Sequence, residues 1–176
     1  MKIKFNYEML VSVSALVTAV VAVAVTVFEV RVTREHQKLS VEPYLIIDST
    51  NANGEFAIVL RNQGLGPAKV HSFAVHVDGE PTSGWGEVIE KLTGTKGQFT
   101  YASIGYGLQY RAEETVALLH IRDKALAQAF QQHRPDRVRT TLCYCSIYKD
   151  CWLFDSDKRV SPAQCPAEPD AGYFGE

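Results

Sequence analysis

Four cysteines carry most of the reactive chemistry in this chain, and they fall within 23 residues: Cys143, Cys145, Cys151 and Cys165. Cys143 and Cys145 are two apart, so on a strand they face the same side. If the chain reverses at Tyr148-Lys149-Asp150, Cys145 comes to lie across from Cys151, within disulfide reach. Cys165 can then return the tail to Cys143. A dense, even set of cysteines suits an oxidising compartment, where it staples a hairpin and a tail. Three pairings are possible, and spacing does not choose among them. Zinc is a rival reading, but C-x-C-x5-C departs from the C-x2-C spacing that zinc sites use. Redox catalysis favours C-x-x-C at a helix start, and free buried thiols complete the alternatives. Structural disulfides are the preferred reading.

The remaining polar residues form no recognisable constellation. Of the five histidines, His71 and His120 lie on apolar strand patterns and read as satisfied core residues, with a His71–His120 metal pair as the sharper alternative. His36 falls in a polar connector. His133 ends a helix, where a cation suits the dipole. There is no G-x-S-x-G and no H-E-x-x-H. Gly64-x-Gly66 lacks the third glycine and the following helix of a phosphate loop. Glu113-Glu114 reads as a solvated strand entrance rather than an acid/base pair. The aromatics Trp85, Tyr101, Tyr106, Tyr110, Tyr148 and Trp152 read mainly as packing residues. A binding surface built from Trp85, Tyr106, Tyr110, Tyr148 and Trp152 is the alternative. No catalytic residue, cofactor or metal is expected.

What must position these residues begins with Met9–Phe28, twenty residues without a charge. A hydrocarbon core of about 30 Å needs roughly that length of helix. Ser12, Ser14, Thr18 and Thr26 can return their hydroxyls to carbonyls one turn earlier, which makes them tolerable in lipid. A cleaved signal peptide is the alternative, with Lys2 and Lys4 before the run and Ala22-Val23-Ala24 as a candidate cleavage site. The apolar run continues past that site to Phe28, which favours an uncleaved anchor. Lys2 and Lys4 before the span are matched by Arg31, Arg34 and Lys38 after it, so charge does not orient it. The cysteines favour a cytoplasmic amino terminus and a periplasmic domain.

The expected organisation is a lead at 1–8, a transmembrane helix at 9–30, a connector at 31–43 closed by Pro43, a β domain at 44–156 and an irregular tail at 157–176. About 146 residues follow the anchor, enough for one core. A net charge of −2 gives no basic face for nucleic acid. Strand patterns fall at 44–48, 55–62, 69–78, 98–104, 114–121, 138–147 and 151–155, with short helices at 85–92 and 123–133. Seven strands and two helices favour an all-β, immunoglobulin-like sandwich over a parallel α/β fold. Between the second and third strands, Asn62-x-Gly64-x-Gly66-Pro67-Ala68 predicts a tight link, most simply with positive φ at a glycine.

An amino-terminal span, an x-Pro-Tyr opening strand and the Asn62-x-Gly64-x-Gly66-Pro67-Ala68 link together resemble a group of uncharacterised bacterial single-pass proteins with immunoglobulin-like envelope domains. The similarity covers roughly residues 5 to 80. It implies a fold and a bacterial inner-membrane address, and it transfers no active site. The functional expectation is a membrane-anchored, non-catalytic interaction module with a protein partner in the envelope, perched on the bilayer through residues 9–30. A tethered small-ligand or glycan sensor is the alternative, and an unrecognised tethered enzyme the second alternative.

Overall fold

An uninterrupted apolar run of this length leaves helix as the only open-chain way to satisfy its backbone in lipid. The structure, a computed structural model that describes residues 7–156, 158–160, 164–165 and 174, forms that helix. Helix α1 runs from Tyr7 to Ser40, 34 residues. It is long and apolar enough to cross a membrane. The Ser12, Thr18 and Thr26 hydroxyls each donate to the carbonyl four residues earlier, at 2.8, 2.8 and 2.9 Å, and Ser14 donates to Val11 at 2.8 Å. The connector expected at 31–43 is therefore shorter: helix persists to Ser40, because nothing before Pro43 removes a backbone donor. The lead with Lys2 and Lys4 lies outside the described residues, apart from Tyr7 and Glu8.

Residues 41–176 form a second unit. Its strands are β1 (Leu45–Ala52), β2 (Glu55–Asn62), β3 (Ala68–Val77), β4 (Glu80–Pro81), β5 (Thr100–Tyr101), β6 (Gln109–Tyr110), β7 (Thr115–Ile121), β8 (Val138–Cys145), β9 (Cys151–Asp155) and β10 (Lys158–Val160). Helices α2 (Trp85–Thr93) and α3 (Lys124–His133) lie in connections. One sheet has the order β1-β2-β7-β5. The other has the order β10-β9-β8-β3-β4, with β6 also on β3. Every described pairing is antiparallel. Phe56, Ile58 and Leu60 of one sheet and Phe73, Val75, Val77 and Leu142 of the other share a single apolar core. Val88 and Ile89 of α2 and Phe130 of α3 close it.

Local signals account for most boundaries. Asn53 and Gly54 both have positive φ, 55° and 82°, and make a two-residue turn with Ala52 opposite Glu55. β1 thus extends four residues beyond the expected 44–48, because only Asn-Gly supplies the turn and the polar residues before it remain in strand. Asp78 and Gly79 turn the chain in the same way. Asp123 caps α3 by accepting from the Leu126 backbone at 2.9 Å. At the start of α2, Glu87 reaches back instead, accepting from Ser83 N and Ser83 Oγ at 2.7 and 2.9 Å. Of the strand expected at 98–104, Thr100 and Tyr101 alone pair. Within the tail, Lys158–Val160 add β10 as an edge, and the Phe174 ring is buried against Trp85 and Phe73, at 4.9 and 5.2 Å between centroids. These residues depart from an irregular tail; apart from residues 164 and 165, the rest of 157–176 lies outside the described residues.

Candidate functional site

The Asn62–Ala68 link carries the chain from one sheet to the other, and its geometry explains its composition. Asn62 is 2% exposed at the end of β2. Its Oδ1 accepts from Tyr44 N at 3.1 Å and Gly64 N at 3.0 Å. Its Nδ2 donates to the carbonyls of Gly66, Tyr110 and Arg111 at 2.8, 3.2 and 3.0 Å. One buried amide thus ties three segments together, with donors and acceptor all used. The glycines have a different role from the one expected. Neither Gly64 nor Gly66 lies in the left-handed region. A Cβ on Gly64 would fall 2.3 Å from Tyr44 N, and one on Gly66 would fall 1.7 Å from the Val41 carbonyl oxygen. The requirement is close backbone approach, and the approaching segment is residues 41–44, just before β1. Gln63 N donates to Tyr44 O at 2.8 Å and Leu65 N to Glu42 O at 3.0 Å across the same contact.

The other sheet holds the same segment from the opposite flank. Arg159 Nη2 donates to Glu42 Oε1 at 2.7 Å and to the Pro43 carbonyl at 3.1 Å. Its guanidinium lies 4.5 Å from the Trp152 ring centroid and 4.7 Å from that of Tyr44. Trp152 stacks on Tyr144 at 5.7 Å, and Leu45 N donates to the Tyr144 hydroxyl at 3.2 Å. Burial pushes the Tyr144 hydroxyl above its ordinary value, so it stays a neutral acceptor. Trp152 is therefore a bracket for Arg159, a role invisible without β10.

The cysteines converge at the far end of β8. Cys143 is bonded to Cys165, and Cys145 to Cys151, its register partner on β9. Among the described residues no cysteine is free. The hairpin loop between them is held by Ser146, whose hydroxyl accepts from Tyr148 N and Asp150 N at 3.1 and 3.3 Å. Lys149 takes the left-handed conformation at φ 66°. Beside this hairpin lies a cleft of about 440 Å³, walled by Pro67, Ala68, Lys69, His71, Ile147, Lys149 and the Cys145–Cys151 pair. A second cavity, of about 680 Å³, is lined by Phe99, Thr100, His120, Arg122 and Asp123. The sulfurs of Cys145, Cys151 and Cys165 lie within 4.8 Å of one another. Such a trio would ligate a metal only as thiolates, and here each sulfur is in a disulfide.

The five aromatics proposed as a surface do not come together. Trp85 is in the core against Phe73 and Phe174, Tyr110 is buried beside Asn62, and Trp152 is under Arg159. Tyr106 and Tyr148 are exposed, and Tyr106 meets His71 edge-on at 5.6 Å. His71 is half-buried and walls the cleft, because β3 has a register shift between Val70 and Ser72 that removes it from the core face. His120 is also half-buried, with Nε2 2.8 Å from Glu55 Oε2. The two histidines lie on strands of different sheets, β3 and β7. Glu114 accepts from Arg111 N at 2.7 Å and shapes the turn into β7, while Glu113 has φ 62° there. Residues that sequence reading passes over are Arg159, Ser146 and Lys69; Arg159 carries no signal beyond a Lys158-Arg159 pair in a polar stretch.

A family model described as a domain of unknown function, DUF8453, matches residues 9–150. The chain belongs to this family. The match takes in the apolar helix, the Asn62–Ala68 link and β8, and stops one residue before Cys151. No curated protein matches the chain.

Proposed function

We propose that this chain is a single-pass, membrane-anchored interaction module of the bacterial inner membrane, with its amino terminus cytoplasmic and its β domain in the periplasm. The two sheets are read as an immunoglobulin-like sandwich, supported by their antiparallel pairing and shared core. Two disulfides support an oxidising compartment for the domain. The module acts without catalysis, as an accessory part of a larger envelope assembly.

The observation that carries the reading is the open edge of β1. This strand pairs with β2 alone among the described residues. Leu45 N is turned away from β2 to the Tyr144 hydroxyl. Alternation along an antiparallel strand puts the N–H groups of Ile47, Ser49 and Asn51 on that same open side. Asp48 to Ala52 are exposed. A run of unpaired donors and acceptors is a template for an extended segment of a partner. The occupant is a partner's β-strand, bound by main-chain hydrogen bonds.

The test is site-specific photocrosslinking in native membranes. A photoreactive residue at Ser49 gives a discrete adduct with one envelope protein, whereas the same residue at the exposed Lys96 does not. Equal labelling at both positions, or none at Ser49, overturns the assignment.

A further inference from the structure

The strand register that seats Lys69 opposite Cys145 also brings two disulfides side by side. Cys145 Sγ, bonded to Cys151, lies 3.8 Å from Cys165 Sγ, which is bonded to Cys143. Thiol–disulfide exchange proceeds by thiolate attack on a disulfide sulfur. Any event that releases Cys145 as a thiolate therefore leaves a nucleophile in contact with the second bond.

Access to the first bond is through the cleft. Cys145 and Cys151 both wall it, but Cys145 is buried, as is Cys143, whereas Cys151 is half-buried. An incoming thiolate thus meets the more exposed sulfur, that of Cys151, first. Lys69 and Lys149 line the same space, and cations beside a sulfur favour its thiolate form. The Pro67, Ala68 and Ile147 walls are apolar, which suits the flank of a polypeptide rather than a small charged thiol.

We propose that the Cys145–Cys151 bond is an exchange site for an external protein dithiol, and that Cys145 passes the exchange on to the Cys143–Cys165 bond. A thiolate of the dithiol attacks Cys151 Sγ. A mixed disulfide forms, the Cys145–Cys151 bond breaks, and Cys145 leaves as a thiolate. Cys145 attacks Cys165 Sγ, forming Cys145–Cys165 and releasing Cys143 as a thiolate that takes up a proton. The second thiol of the dithiol, losing its proton, attacks its own sulfur in the mixed disulfide and frees Cys151, which is protonated. The dithiol is oxidised to its disulfide by two electrons, and the chain is reduced by two, with thiols at Cys143 and Cys151. The tail stays attached throughout, but its tether moves two residues along β8, roughly 7 Å at strand rise.

The relay is read on the full-length protein in detergent, treated with equimolar dithiothreitol as the probe dithiol and quenched with N-ethylmaleimide. Cleavage after Tyr144 separates Cys143 from Cys145, so mass spectrometry distinguishes all pairings. The expected doubly labelled species carries label on Cys143 and Cys151 and a Cys145–Cys165 crosslink. Label on Cys145 and Cys151 with Cys143–Cys165 intact overturns the relay. Resistance of the Cys145–Cys151 bond, or simultaneous loss of both bonds, overturns the exchange site itself. In the Cys151→Ala variant, where Cys145 has no partner, the relay predicts label on Cys143; label confined to Cys145 contradicts it. A protein Cys-x-x-Cys dithiol at the same concentration reacts at least about tenfold faster than dithiothreitol if the cleft seats a polypeptide, and equal rates remove the partner class.

Discussion

The two ends of β domain wiring are held by opposite means. Where the chain leaves α1, residues 41–45 are fixed by neutral hydrogen bonds, close backbone contact and one Arg159–Glu42 pair, all of it dependent on shape. Farther along the chain, Cys143, Cys145, Cys151 and Cys165 are joined by two covalent bonds. The first arrangement has no tolerance for added atoms and no chemistry by which to change. The second withstands loosening of its surroundings, yet thiols can rewrite it. The start of the β domain is thus made rigid by packing, and adaptability is left to sulfur.

Substitution within that packing should have the largest effect. Gly66→Ala places a methyl group 1.7 Å from the Val41 carbonyl oxygen, a contact that only backbone displacement relieves. A loss above about 4 kcal/mol is expected, seen as failure to fold or a collapsed thermal transition. Asn62→Ala comes next. It strands Tyr44 N, Gly64 N and three carbonyls in a buried site, and about 3 kcal/mol or more should be lost in denaturant unfolding. If Asn62→Ala proves as mild as a surface change, this packing is not what holds the segment.

The stapled end should be less sensitive. Chain-entropy arguments give about 3 kcal/mol for the Cys143–Cys165 bond, with a sequence separation of 22, and about 2 kcal/mol for Cys145–Cys151, with a separation of 6. Double alanine variants measured by urea unfolding should fall in that order. The reverse order would mean that the short hairpin staple organises the tail as well.

The smallest effect lies on α2. Glu87 is held down to about 2, chiefly by the Ser83 backbone N–H, then by Lys91 and the Ser83 hydroxyl. Its pKa is below the unfolded value of 4.5. The stability it supplies is therefore complete above pH 4.5 and disappears as pH falls towards 2. Glu87→Gln should flatten the acid limb in that window. The change stays below about 1 kcal/mol because the carboxylate is more than a third exposed and screened. Arg137 and Arg139 hold Asp78 and Asp155 below the ordinary carboxylate range in the same direction.

Much of this architecture was legible in the residues. The charge-free run at 9–28 dictates a helix, and strand patterns around β2, β3, β7, β8 and β9 survive in the fold. The Asn-x-Gly-x-Gly-Pro-Ala signature marks a special link, but composition does not separate a glycine needed for φ from one needed for closeness. The distinction depends on Tyr44, 20 residues before Gly64, and Val41, 25 residues before Gly66. His71 was misplaced because alternation assumes an unbroken register, and one extra residue at the β3 bulge reverses the faces. Trp85 and Trp152 look like surface candidates until Phe174 and Arg159 are known to cover them, and Tyr110 is buried as well. β10 has three residues and too little pattern to stand out.

The central claim is that a membrane helix holds a disulfide-stapled β domain on the oxidising side. Thiol labelling on intact cells with a membrane-impermeant maleimide tests it directly. The account predicts no label before reduction and label on the domain's cysteines after a brief reduction, without permeabilising the inner membrane. Cysteines that react without reductant, and only once that membrane is permeabilised, would contradict it.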